Sequence, residues 1–187
     1  MMPSTENTEG TAGIFARGMA YLIDCCFVFV IFAITQLLIF APVRSVFGIT
    51  DNWFKSGLNT QLYTIVTISI PVWLYFSILE SSSWRATIGK RILGIHVVDS
   101  ISQSQIRFPH SLLRTVIKLL PWELAHLGNN LPEPIWYAKE PGLRIGFVFS
   151  GLLMTGYVVV MCVNSSRQCI HDMLAQTLVS KPESKKG

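Results

Sequence analysis

Residues 17–40 read RGMAYLIDCCFVFVIFAITQLLIF, and this stretch decides the fold. From Tyr21 to Phe40 it is almost wholly apolar. About 20 such residues, at a helical rise of about 1.5 Å each, cross the hydrocarbon core of a bilayer. Two charges stand at its head: Arg17 just before the run and Asp24 about one turn inside it. An ionised carboxylate at that depth costs roughly 3 kcal/mol without a partner. Arg17, Tyr21 and Asp24 recur at helical spacing, so one face carries all three and continues through Val28, Ile31 and Thr35. Arg17 and Asp24 stand about 10 Å apart along the axis, too far for a direct bond, so a third group, a water or a second helix is expected between them. Two roles are open for Asp24: a helix-packing acid with its hydrogen bonds satisfied, or a titrating group on a transport path.

Composition points the same way. Half of the 187 residues are hydrophobic, only 14% are charged, and the mean hydropathy is +0.45. This balance belongs to a polytopic membrane protein of one domain rather than to a soluble globule. The net charge of +4 suits basic loops that face the cytoplasm, and it is too scattered to argue for nucleic acid. Cys25, Cys26, Cys162 and Cys169 have neither metal-ligand nor disulfide-framework spacing, so no metal and no cofactor are expected.

Working outward, residues 1–12 are polar and read as a flexible tail without the basic segment of a signal peptide. Further apolar runs cover about residues 62–79, with Pro71 in mid-span, and about residues 143–163. With the first run, at about 20–40, these are three spans. Residues 110–128 hold Arg114, Lys118, Pro121 and Glu123 among leucines, which suits either an amphipathic interfacial helix or a broken, protein-facing membrane helix.

Between the second span and that helix, Ile92 to Val98 alternates in strand fashion, residues 99–105 are turn-like, and Ile106 to Phe108 offers a return strand. The predicted fold is an all-α membrane protein: a small bundle of three to four transmembrane helices, with a short interfacial β-hairpin between the second span and the next helix. Gly89-Lys90 lacks the first glycine of a phosphate loop, since Trp84 stands in its place, so nucleotide binding is rejected. Lys90 and Arg91 are instead expected to meet anionic lipid headgroups. Gly142, Gly146 and Ser150 recur every four residues, a small-residue face for close helix contact within the chain or in a homodimer.

Lys and Arg counts give an orientation. Arg85, Lys90, Arg91 and Arg107 lie between the second span and the next helix, and Arg167, Lys181, Lys185 and Lys186 follow the last span, 181–187 forming a basic tail. The loop 41–60 holds Arg44 and Lys55 alone. Positive-inside places the two richer segments, and with them the N-terminus, in the cytoplasm. Two cytoplasmic segments require an even number of crossings, so four are favoured, with three spans and an interfacial helix as the alternative.

These residues together resemble the RDD family of small bacterial integral membrane proteins, named for one arginine and two aspartates. Arg17 and Asp24 match the arginine before the first span and the aspartate within it. Asp172, beside His171, matches the second aspartate. Thr87-x-Gly89-Lys90-Arg91-x-x-Gly94, ending in Val97-Val98-Asp99, is similar to the family's middle motif, and Arg114 to the arginine of its Leu-Arg segment. The likeness covers roughly residues 13–180. It departs at the turn, where Asp99-Ser100-Ile101-Ser102 replaces the usual Asp-Gly. The resemblance implies a multi-pass protein of the bacterial cytoplasmic membrane, and it implies transport of an unidentified ligand, with sodium–proton exchange linked to some members.

Two functions follow as expectations. In the first, the chain transports a small ion or solute, cation–proton exchange being one form, through a network of Arg17, Tyr21, Asp24, Arg114, Arg167, His171 and Asp172. In the second, it is a non-transporting scaffold or assembly partner whose Arg/Asp pairs only lock helices. Catalysis is not expected, because no nucleophile accompanies His171-Asp172.

Overall fold

A computed structural model describes residues 10–140, 142–164 and 167–181. The first nine residues of the polar tail, and Lys185 and Lys186 of the basic tail, lie outside the described residues. In chain order the elements are β1 (Gly10–Thr11), α1 (Ile14–Thr35), a π-helical turn (Gln36–Phe40), α2 (Ala41–Val46), α3 (Asp51–Phe54), α4 (Gly57–Thr64), a second π-helical turn (Ile65–Ser69), α5 (Ile70–Ser81), α6 (Ile88–Ile92), β2 (His96–Asp99), α7 (Phe108–Asn130), α8 (Ile145–Val163), α9 (Ile170–Leu174) and β3 (Thr177–Lys181). Among the described residues three helices are long and apolar enough to cross a membrane: Ile14–Val46, Gly57–Ser81 and Ile145–Val163.

Both π-helical turns precede a proline by two residues, Pro42 and Pro71. Proline lacks the amide that would bond the carbonyl four residues back, and its ring crowds that carbonyl. One widened turn relieves the crowding and keeps the helix running. Pro121 is handled differently. It sits inside α7, which passes through it unbroken. The carbonyl that Pro121 leaves without an amide is that of Ile117, and the Tyr157 hydroxyl of α8 donates to it. The broken-helix expectation is therefore corrected: α7 is one helix of 23 residues because a neighbour satisfies the freed carbonyl.

α7 lies against α4, α5 and α8. Gly128 and Gly146 let α7 and α8 meet backbone to backbone. A Cβ on Gly146 would lie 2.5 Å from the Gly128 amide nitrogen. Of the small-residue stripe, Gly146 is thus used within the chain; Gly142 has open space around it, and Ser150 is half-buried. Near the same end, Asn130 Nδ2 donates to Gln61 Oε1 (2.9 Å) and Thr64 Oγ1 (3.1 Å), fastening α7 to α4.

The expected hairpin does not form. β2 pairs instead with β3, antiparallel, with Val97 opposite Val179, and β1 pairs on the other edge of β3. The Asp99 side chain accepts the amides of Ile101 (3.0 Å) and Ser102 (2.8 Å) and closes a tight local turn. α7 then begins at Phe108 with a proline in its first turn, where proline suits a helix. Too little chain is left between turn and helix for a return strand, and Ile106 is buried in the core instead. Residues 10–12 are likewise not tail: Gly10 and Thr11 form β1, and Ala12 packs with Ala20, Ile95, Val97, Ile106 and Val179. This small sheet caps the end of the bundle where α1 and α7 begin.

Tyr157→Phe is expected to leave the Ile117 carbonyl unpaired and to lower stability by about 1–3 kcal/mol. Adding Pro121→Ala restores an amide for that carbonyl and is expected to recover most of the loss. Thermal unfolding of the single and double variants in detergent measures both steps.

Candidate functional site

Asp24 is 1% exposed, and among the described residues the arginines pair with Asp172 and Glu80 and not with it. Its carboxylate accepts from the Tyr75 hydroxyl of α5 (2.8 Å), from the Gly89 amide of α6 (2.8 Å) and from the Thr87 hydroxyl. Three donors satisfy the carboxylate without a counter-charge. The approach of α6 to α1 is close enough to require glycine: a Cβ on Gly89 would lie 2.1 Å from the Ala20 carbonyl oxygen. Asp24 therefore docks the Thr87-x-Gly89 segment onto α1, a fastening role.

Arg17 reaches past Asp24 to the other aspartate. It donates to Asp172 Oδ2 (2.9 Å), to the Val179 carbonyl (3.3 Å) and to the Ala12 carbonyl (3.2 Å). Arg114 bridges two acids. Its Nε and Nη2 donate to Asp172 Oδ1 at 2.9 and 2.7 Å, its Nε also meets Thr177 Oγ1 at 3.1 Å, and its Nη1 pairs with Glu80. Glu80 in turn holds Lys90 at 2.7 Å and stands 3.4 Å from Lys118. Arg114, Glu80 and Asp172 are all fully buried.

The elements explain why these groups meet. Arg17 opens α1, Glu80 ends α5, Arg114 lies in the second turn of α7, and Asp172 stands in the first turn of α9, so four separate segments end in one layer. Asp172 also accepts from the Cys169 amide (3.2 Å), capping α9. Burial alone would raise the Asp172 carboxyl, yet the Arg114 and Arg17 guanidiniums around it hold it well below the usual range. Burial pushes the neighbouring His171 imidazole down to about 3 against the pull of Asp172, so it is neutral. Its ring lies edge-on to Tyr157, with centroids 5.7 Å apart.

Arg17, Tyr21, Asp24, Arg114, His171 and Asp172 line one cavity of about 200 Å³. Arg167 does not join them; it is exposed in the left-handed region (φ 52°) after α8. The headgroup reading of Lys90 is corrected, since the side chain is buried on Glu80. Arg91 does stay at the surface, its guanidinium 4.0 Å from the Trp84 ring centroid. Glu80 and Lys118 were not among the expected site residues. The signal was present: an acid at the end of an apolar span needs a cation, and Arg114 and Lys118, four apart on a helix, needed acids.

A second cavity of about 470 Å³ adjoins the first, between α1, α5 and α7. Its polar groups are Glu123, His126 and Ser69; the Ser69 hydroxyl donates to Glu123 Oε2 (2.8 Å), and His126 Nδ1 lies 3.7 Å from the same oxygen. Tyr21, Phe76 and Trp122 line both cavities, and Trp122 Nε1 donates to the Tyr21 hydroxyl at their junction. No cluster of His, Cys, Asp and Glu suited to a metal ion occurs among the described residues.

Arg114→Leu would strand Glu80 and Asp172 in the interior and is expected to cost about 3–5 kcal/mol. Arg167→Leu, at an exposed site, is expected to stay within about 0.5 kcal/mol of the parent. Folded yield and unfolding temperature in one detergent compare the two; equal losses would contradict the bridging role of Arg114.

The order and spacing of these residues carry over to a family comparison. The model of the RDD family matches residues 11–176. No curated protein and no solved structure matches the chain. The match covers most of the chain, which belongs to the RDD family.

Proposed function

We propose that this RDD-family membrane protein crosses the bilayer four times and moves a small ion or solute along the inner face of α7. The observation that carries the reading is the pair of adjoining cavities, with Glu123 and His126 in the deeper one and the Tyr21–Trp122 bond between them. A carboxyl and an imidazole within a helix bundle have no packing advantage over apolar residues, and ionisable groups at such depth commonly mark ion or proton pathways. Glu123 keeps one hydroxyl donor and half-buried access, whereas Asp24 is saturated. In this reading Glu123, rather than Asp24, is the acid on the transport path.

The four-crossing arrangement rests on the two ends of the bundle. The charged layer joins the start of α1, the end of α5 and the first half of α7, while Asn130 and Gly128 join the far end of α7 to α4 and to the start of α8. α7 therefore runs the same height as its apolar neighbours, with Arg114 turned inward. The basic segments flanking α6 and following α8 share the side of the charged layer, which positive-inside makes cytoplasmic.

The scaffold reading has its own support. Every member of the Arg17, Arg114, Glu80 and Asp172 set is tied to another, which is how a lock rather than a carrier is built.

Cysteine labelling at Ser102 and Lys139 is expected to report opposite sides of the membrane; labelling from one side would leave α7 at the interface. In proteoliposomes, Glu123→Gln is expected to fold with near-parent stability and to lose pH-dependent cation or proton flux. Asp24→Asn is expected to lose folded yield first, by about 1–3 kcal/mol, because an amide cannot accept from all three donors. Parent protein that supports no flux, with Glu123→Gln indistinguishable from it, would favour the scaffold.

A further inference from the structure

The charges around the cavity of about 200 Å³ do not balance. Among the described residues of this cluster, Arg17, Lys90, Arg114 and Lys118 stand against Asp24, Glu80 and Asp172. The Asp24 carboxylate is met by three neutral donors and neutralises no cation by contact. The Arg17 and Arg114 guanidiniums share Asp172, and Arg114 and Lys90 share Glu80. Lys118 has the weakest pairing of the four: it lies 3.4 Å from a Glu80 oxygen that Lys90 already holds at 2.7 Å, and its ammonium rests 3.4 Å from the Phe76 ring centroid. An excess positive charge inside an apolar bundle calls for an anion.

The wall that α8 supplies beyond Tyr157 is apolar, and one side of the cavity is open. α1 is held tightly at α6, by Gly89 on Ala20, and α8 is held at α7. Between α1 and α8 the cavity is lined by Gly18, which is exposed with nothing within 4 Å of its Cβ position, and by Met154 and Val158, which are 47% and 52% exposed. Met154, Val158 and Met161 follow one another at helical spacing and make an apolar track along α8. The track starts level with the charged layer, since Tyr157 bonds Ile117 one residue from Lys118, and it runs deeper toward Met154.

We propose that this cleft is a binding site for an anionic membrane phospholipid. Its phosphodiester meets Lys118, and an acyl chain lies on the α8 track and leaves past Gly18. A free phosphate shares the head chemistry and has no use for the track or the lateral mouth. The site is independent of transport, and binding is measured without flux.

The test uses the full chain purified in a neutral detergent, read by native mass spectrometry and by thermal unfolding. Phosphatidylglycerol is expected to bind with one tight equivalent and to raise the unfolding temperature, and phosphatidylcholine to do neither. Lys118→Met is expected to weaken phosphatidylglycerol binding at least tenfold. Gly18→Leu removes no charge and fills the mouth; it is expected to abolish the lipid-induced shift and leave the lipid-free unfolding temperature unchanged. Equal shifts from inorganic phosphate would replace the lipid by a small-anion site. Equal binding of the two lipids, or undiminished binding by Gly18→Leu, would overturn the proposal. Gly18→Leu decides the matter should Lys118→Met fail to fold.

Discussion

The fully buried guanidinium of Arg114, held between Glu80 and Asp172, is the interaction on which the rest of the structure depends. Its planar fork offers five donors in fixed directions, which lets one side chain tie the end of α5 and the first turn of α9 to α7. Lysine would supply the charge without that geometry. Removing any one member leaves another charge in a place where water cannot reach it, so the three residues form a single unit. Arg17 extends the unit to α1 through Asp172, and Lys90 extends it to α6 through Glu80.

α1 is fastened by two polar devices near its start, Arg17 on Asp172 and Asp24 on the Thr87–Gly89 segment. Beyond them it meets α5 largely through aromatic side chains: Tyr21 with Phe76, Phe27 with Tyr75. Long side chains hold helices apart where glycines would draw them together, as Gly128 and Gly146 do between α7 and α8. The space left beside α1 holds both cavities. Arg17, Asp24 and Asp172 thus work at the end of the bundle as fastenings, and the aromatic contacts beyond them leave the space open.

Several features were legible in the chain. Asp24 and Arg17 stood out because a charge at the head of an apolar run has a large cost and must be met. The spans were legible from length and hydropathy, and the packing role of Gly146 from small-residue spacing. The hairpin was not, because alternation in residues 92–98 reports that a strand has a buried face and says nothing about its partner; that partner lay about 80 residues away, in Thr177–Lys181. The bridge expected between Arg17 and Asp24 does not form for a similar reason. Helical spacing put Asp24 on its face, yet the donors that reached Asp24 came from α5 and α6, and Arg17 was left to Asp172.

The sequence by itself determined that this is a membrane protein of apolar helices, that Arg17, Asp24, Arg114 and Asp172 matter, and that the family is RDD, because hydropathy, charge and motif order are properties of the linear chain. Only the tertiary structure decided which cation meets which acid, that α7 survives Pro121, and that Lys90 turns inward to Glu80. Those outcomes depend on groups brought together from distant segments. A buried charge or an unpaired carbonyl is satisfied by whichever partner the packing delivers, and spacing along the chain does not specify it.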